Sequence, residues 1–212
     1  ESSAASDVYK RQIFIYVGVE VGIPNFANLF MTSPEINIDP TIAGSVVGTY
    51  WFLMMIGRLC GASIGAKVSS RAMLTVVSTV GIVLVLGAIF CADNILVNMP
   101  VFKSDISFGF AQVPVNVMLL ILCGLCTSVM WGGIFNLAVE GLGKYTAAAS
   151  GLFMVMVCGG GILPLIQGGV ADFAGFLNSY WVIALGLAYI LFYAAIGSKN
   201  VNTDIPTDDY EA

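Results

Sequence analysis

The chain has 212 residues, 58% of them hydrophobic and only 10% charged, with a net charge of −5. Soluble domains carry roughly 25% charged and 45–50% apolar residues, so this composition excludes a water-soluble fold: a domain of this size has too little interior to hide so much apolar surface. The negative charge gathers in Asp204, Asp208, Asp209 and Glu211, which gives no ground for nucleic-acid binding, and the lack of histidine leaves any proton chemistry to carboxylates.

Residues 1–11 are polar and unlike anything after them, and are expected to be a non-native or disordered lead-in. A bilayer core needs about 20 apolar residues in helical form. Six stretches meet or nearly meet that length: 12–31, 42–66, 72–92, 115–139, 147–170 and 180–197. Their connections are short, except for a long polar loop over 93–114. Residues 198–212 are acidic and polar and are expected to form a disordered tail. The predicted fold is thus all-α, a bundle of six transmembrane helices.

The first span carries Glu20 nine residues from its start, near mid-membrane. A carboxylate there costs about 2.5–3.5 kcal/mol on insertion scales, so a partner, a water-filled cavity or protonation must offset it. Tyr16, Glu20, Pro24 and Asn28 step by four and share one broad helix face. Pro24 cannot donate to the Glu20 carbonyl, which is left free. Together they read as the lining of a polar cavity, with Asn25 beside them. A hydrogen bond between helices is the structural alternative.

The second span holds Gly44 and Gly48, then Gly57, Gly61 and Gly65 at steps of four, a pattern that lets helix backbones approach closely. Arg58 lies toward the inner end of this span and can snorkel to the interface. Lys67 and Arg71 follow in the next loop. Trp51 in the second span and Trp131 in the fourth lie well inside, whereas membrane tryptophans prefer the interfaces. They pack in the core or stack against a sugar ring. Trp181 sits where an interfacial belt residue belongs.

Asn136 and Gln167 are candidates for buried amides. Cys123 and Cys126 have a CxxC spacing with no second ligand pair, which reads as small packing residues and gives no metal site. Glu140 and Lys144 are four apart and can pair. In the fifth span, Gly159, Gly160 and Gly161 precede Pro164, which predicts a bend. Bent helices suit a carrier that rocks between two states, although tight packing accounts for the glycines equally well. There is no nucleophile–base pair, metal cluster or phosphate loop to support an enzyme or a cofactor.

Positive charge sets the orientation. With the N-terminus inside, Arg58, Lys67, Arg71, Lys144 and Lys199 fall on the inner side and Lys103 on the outer. Both termini are then expected in the cytoplasm.

Four segments carry a resemblance. Tyr16-Val-Gly-Val-Glu20-Val, Gly57-Arg58-Leu-Cys-Gly61 with Lys67 and Arg71, Asn136 through Thr146 with Ser150, and Gly159-Gly-Gly-Ile-Leu-Pro164 with Gln167 through Asp172 occur in that order at the expected helix ends. Over residues 12–197 the chain resembles the C-terminal half of the fucose and glucose/galactose permeases of the major facilitator superfamily. The resemblance implies proton-coupled monosaccharide uptake across the bacterial inner membrane, by twelve helices in two halves with the sugar between them. It implies a missing N-terminal six-helix half, which in that family holds the proton-coupling carboxylates. The expected substrate-binding residues are Glu20, Asn25, Asn28, Trp51, Trp131 and Asn136. Those of the inner loops and gating are Arg58, Lys67, Arg71, Gly160 and Pro164. The stretch Gly22-Ile-Pro-Asn-Phe-Ala-Asn28 and the loop 93–114 depart from the family pattern, which leaves the sugar open. A carrier of another small solute, such as a drug or organic acid, and a non-transporting membrane sensor are the alternatives.

Overall fold

The computed structural model describes residues 2–65, 67–92, 94–103, 105–139 and 146–197, with the backbone alone for 2–10, 148 and 149. The Glu140–Lys144 pair, Lys199 and the acidic tail lie outside the described residues.

Helix α1 (Ser2–Thr32) begins well before the apolar span, which starts at Arg11. The polar lead-in is therefore helical from Ser2. Helices α2 (Pro40–Gly65) and α3 (Ser70–Phe90) follow the expected spans closely. Asp39 accepts from the Thr41 N–H at 2.8 Å at the start of α2, and this bond holds its carboxyl below the usual range. Ser69 caps α3 through the Ala72 N–H.

The fourth and fifth spans are each interrupted. The fourth consists of α4 (Val115–Ser128) and α5 (Met130–Val139), broken at Val129. The fifth consists of α6 (Thr146–Met156) and α7 (Gly159–Ala174). Its break falls at Val157 and Cys158, just before the glycine triplet, where the backbone closes tighter bonds three residues apart. Pro164 lies inside α7 near its start. The sixth span is α8 (Phe176–Phe192) with a π-helical turn (Tyr193–Gly197). Among the described residues, six helical spans are long and apolar enough to cross a bilayer.

The stretch expected as a polar loop is instead an antiparallel hairpin, β1 (Leu96–Phe102) and β2 (Phe108–Pro114), with Phe102 opposite Phe108 and Leu96 opposite Pro114. Met99, Val101, Ala111 and Val113 alternate onto its inner face and are buried against the helix ends. The Phe102 N–H donates to Thr49 Oγ1 of α2 at 2.9 Å, and the Phe102 ring stacks on Phe52 at 4.7 Å.

In the bundle, α1 packs on α7 and α8, α2 on α4, and α3 on α4 and α8. Two of the five α2 glycines serve the contact with the fourth span: a methyl on Gly57 would overlap Ser128 and one on Gly61 would overlap Val129, whereas a methyl on Gly44 would meet open space, one on Gly48 would meet the hairpin and one on Gly65 would meet Met73 of α3. In the reverse direction, a methyl on Gly124 would lie 2.6 Å from the Tyr50 carbonyl oxygen. The outside of the bundle is apolar: Phe173 is 95% exposed, Leu165 76% and Phe90 75%. Water does not favour such a surface, and lipid accommodates it.

Candidate substrate cavity

Pro24 interrupts the hydrogen-bond ladder of α1, as the sequence requires, but the Glu20 carbonyl is not left free. Tyr50 of α2 donates its hydroxyl to it at 3.1 Å. Three residues further on, Tyr180 of α8 donates to the Ile23 carbonyl at 2.8 Å. Tyr16, one turn before Glu20, donates to the Thr127 carbonyl at 3.1 Å, close to the α4–α5 break. The Thr127 hydroxyl lies 3.0 Å from Tyr50 Oη. These tyrosines and Thr127 are buried. Sequence reading missed Tyr50, Thr127 and Tyr180. The available signal was general: a tyrosine buried in an apolar bundle needs an acceptor for its hydroxyl, and a proline-freed carbonyl is one.

The Glu20 side chain finds a charged partner. Arg58 Nη2 donates to Glu20 Oε1 at 3.0 Å, and also approaches Met54 Sδ at 3.4 Å. Glu20 is largely covered, its side chain 13% exposed, whereas that of Arg58 is 57% exposed and reaches into a cleft. Arg58, placed toward the inner end of α2 with the reach to snorkel, turns its guanidinium to the Glu20 carboxylate. A lone carboxylate at this depth is costly, and the pair supplies the compensation.

The cleft has a volume of about 570 Å³ and is bordered by Arg58, Ser70, Ser128, Trp131, Gly132 and Asn136. Trp131 lies 6.0 Å from the Tyr16 ring, centroid to centroid. Asn136 is exposed in the cleft rather than buried, its Nδ2 reaching Ser70 Oγ at 3.5 Å. Gln167 is the buried amide, with Nε2 on Ser179 Oγ at 3.4 Å. A guanidinium, an amide, hydroxyls and an indole around one cleft, with Glu20 holding the guanidinium from behind, can bind a small polyhydroxylated solute: charged and amide groups take hydroxyls, and an indole offers an apolar plane.

The remaining predicted residues lie elsewhere. Asn25 and Asn28 flank a separate depression between α1 and α7, with Gly161 and Pro164 on its far side. Residues stepping by four along α1 therefore do not all face one cavity, because Pro24 separates Glu20 from Asn28. Trp51 does not share the cleft with Trp131. It is half-exposed, meets the Tyr50 ring edge-on at 5.3 Å, and borders a groove between α2 and the hairpin. Gly160 packs against Val17 of α1. Lys67 is exposed in the turn before α3, and Arg71 lies in the first turn of α3 beside Asn136. Cys123 and Cys126 are buried free thiols, and Trp181 meets Phe90 edge-on at 6.0 Å.

No family model matches the chain. It is 30% identical over 189 residues to a glucose/galactose transporter of Brucella abortus, an alignment covering 89% of this chain and 41% of that protein. It is 32% identical over 192 residues to a putative glucose/galactose transporter of Helicobacter pylori, covering 88% and 42%. A crystal structure of the major facilitator superfamily transporter FucP, in the outward conformation, superposes with a TM-score of 0.76 at 21% identity, over 92% of this chain and 43% of that one. The chain thus spans less than half the length of the relatives it matches, and those relatives are transporters, not enzymes. With six apolar spans and this superposition, the chain is a multi-pass membrane protein with the fold of one half of a major facilitator superfamily transporter, related to the bacterial glucose/galactose transporters.

Proposed function

We propose that the chain is the C-terminal six-helix half of a twelve-helix carrier that moves a monosaccharide of the glucose, galactose or fucose type across the bacterial plasma membrane by proton symport. The observation that carries this reading is the Glu20–Arg58 pair joined to a cleft bearing Trp131 and Asn136. The names of the relatives support the substrate class, and a shorter alignment with the L-fucose-proton symporter of Escherichia coli, 33% identical over 92 residues, supports the proton.

In this reading Glu20, Arg58, Trp131 and Asn136 form one wall of the sugar site, and the other half supplies the opposite wall. Asn25 and Asn28 line a neighbouring depression, and Trp51 belongs to the outer rim. Lys67 and Arg71 lie on the inner loop, and the break before Gly160 and Pro164 lets α6 and α7 adjust as the halves rock. Both termini are cytoplasmic.

Uptake of labelled monosaccharide by the complete carrier, with and without a proton uncoupler, tests the proposal. Accumulation that the uncoupler abolishes is expected, with none from residues 12–212 alone in liposomes. Robust uptake by that segment alone refutes the half-carrier reading. A carrier of another solute shows no competition by sugars, and a sensor shows no uptake at all.

A further inference from the structure

The polar groups behind the ion pair form a single connected chain. Tyr50 has one hydroxyl proton, and the Glu20 carbonyl can only accept, so Tyr50 Oη–H points to that carbonyl. Thr127 Oγ1 lies 3.0 Å from Tyr50 Oη and also reaches the Cys123 and Gly124 carbonyls of its own helix at 3.2 and 3.3 Å, so its one proton has three acceptors within range. The backbone carbonyl of the same Thr127 accepts from Tyr16. Thr127 is thus held at its side chain and its backbone, and it links the break in α4–α5 to the proline break in α1. Gly124, one turn earlier, lets α4 approach the Tyr50 backbone closely enough for Thr127 to reach Tyr50 Oη.

We infer that Tyr50 is a positioning residue for the sugar site: with Thr127 behind it, it fixes the freed carbonyl of Glu20 and so aims the Glu20 carboxylate at Arg58. This rests on the proposed substrate site. Tyr50 does not border the cleft. It acts through the backbone to which Glu20 is attached, at the one turn where Pro24 has removed the ordinary restraint. Tyr180 is the internal comparison. It makes the same kind of bond to the same helix, three residues further on at the Ile23 carbonyl, which Pro24 does not leave without its helical donor.

The experiment compares Tyr50→Phe, Thr127→Val and Tyr180→Phe in the complete carrier in proteoliposomes. Tyr50→Phe is expected to raise the KM for sugar about tenfold at little cost in maximal rate, as for one lost hydrogen bond of ordinary worth. Thr127→Val is expected to do the same to a smaller extent. Tyr180→Phe is expected to lower the thermal midpoint and leave KM unchanged. Equal KM shifts in Tyr50→Phe and Tyr180→Phe, or none in Tyr50→Phe, overturn the positioning role.

A second measurement does not depend on sugar. Thermal midpoints of Glu20→Gln, Arg58→Gln and the double variant are compared on the parent and Tyr50→Phe backgrounds. The two losses should be strongly non-additive on the parent and close to additive without the Tyr50 hydroxyl. Unchanged non-additivity refutes the inference. If the parent carrier moves no sugar, the proposed function fails and this cycle alone decides the role of Tyr50.

Discussion

Glu20 and Arg58 show how one charged residue in an apolar span constrains another far away in sequence. From Arg11, where the apolar span begins, nine residues at 1.5 Å each place Glu20 about 14 Å into a core about 30 Å thick. At that depth it needs the partner that Arg58 supplies at 3.0 Å. Replacing Arg58 with Gln in the complete carrier strands the carboxylate, and Glu20→Gln strands the guanidinium less severely, because Arg58 is half open to the cleft. Arg58→Gln should therefore lower folded yield more than Glu20→Gln, and the double variant should recover part of it. Glu20→Gln should weaken apparent sugar affinity by about 1.5–3 kcal/mol if the carboxylate bonds to sugar hydroxyls. Equilibrium binding and size-exclusion yield measure the two effects separately. Loss of uphill accumulation with sugar exchange intact would instead make Glu20 a coupling residue. Unchanged binding, accumulation and yield would remove it from the site.

Among the elements, the hairpin departs most from expectation. Asn94, Asn98, Pro100, Lys103 and Asp105 mark a polar loop, yet the residues between them alternate and bury Met99, Val101, Ala111 and Val113. Its turn is tight: the Lys103 N–H donates to the Ser107 carbonyl at 2.9 Å, and Asp105 accepts from both the N–H and the hydroxyl of Ser107. In that turn Ile106 has a φ of +64° and is 81% exposed. A β-branched residue is poorly suited to this left-handed conformation, which asparagine tolerates. Ile106→Asn should stabilise the turn by about 1 kcal/mol. Slower proteolysis within residues 103–107 by an externally added protease, at unchanged uptake, would show it; faster cleavage would contradict the strain. The bond from Phe102 to Thr49 and the Phe52–Phe102 stack tie the hairpin to α2.

For the whole molecule, topology is the consequence most open to test. Placing the inner positive charges in the cytoplasm puts the turn at Lys67–Ser69 inside and the hairpin tip outside. In a cysteine-free background of the complete carrier, Lys103→Cys should react with an impermeant thiol reagent in intact cells. Val68→Cys should react only after permeabilisation. Both positions are exposed. Labelling of both from outside contradicts the orientation.

The six spans were legible in the sequence because a bilayer core demands runs of about 20 apolar residues and tolerates few charges within them. Glycine spacing along α2 likewise foretold a close helix contact, since only a missing Cβ permits it. Pro24 foretold a carbonyl without its helical donor. What filled these openings was decided by the fold. That Arg58 meets Glu20, that Tyr50 takes the freed carbonyl, and that Trp131 but not Trp51 reaches the cleft depend on which face of each helix meets which neighbour. Local pattern carries burial and periodicity; pairing across 38 residues between Glu20 and Arg58, or 77 between Tyr50 and Thr127, exists only once the helices are packed.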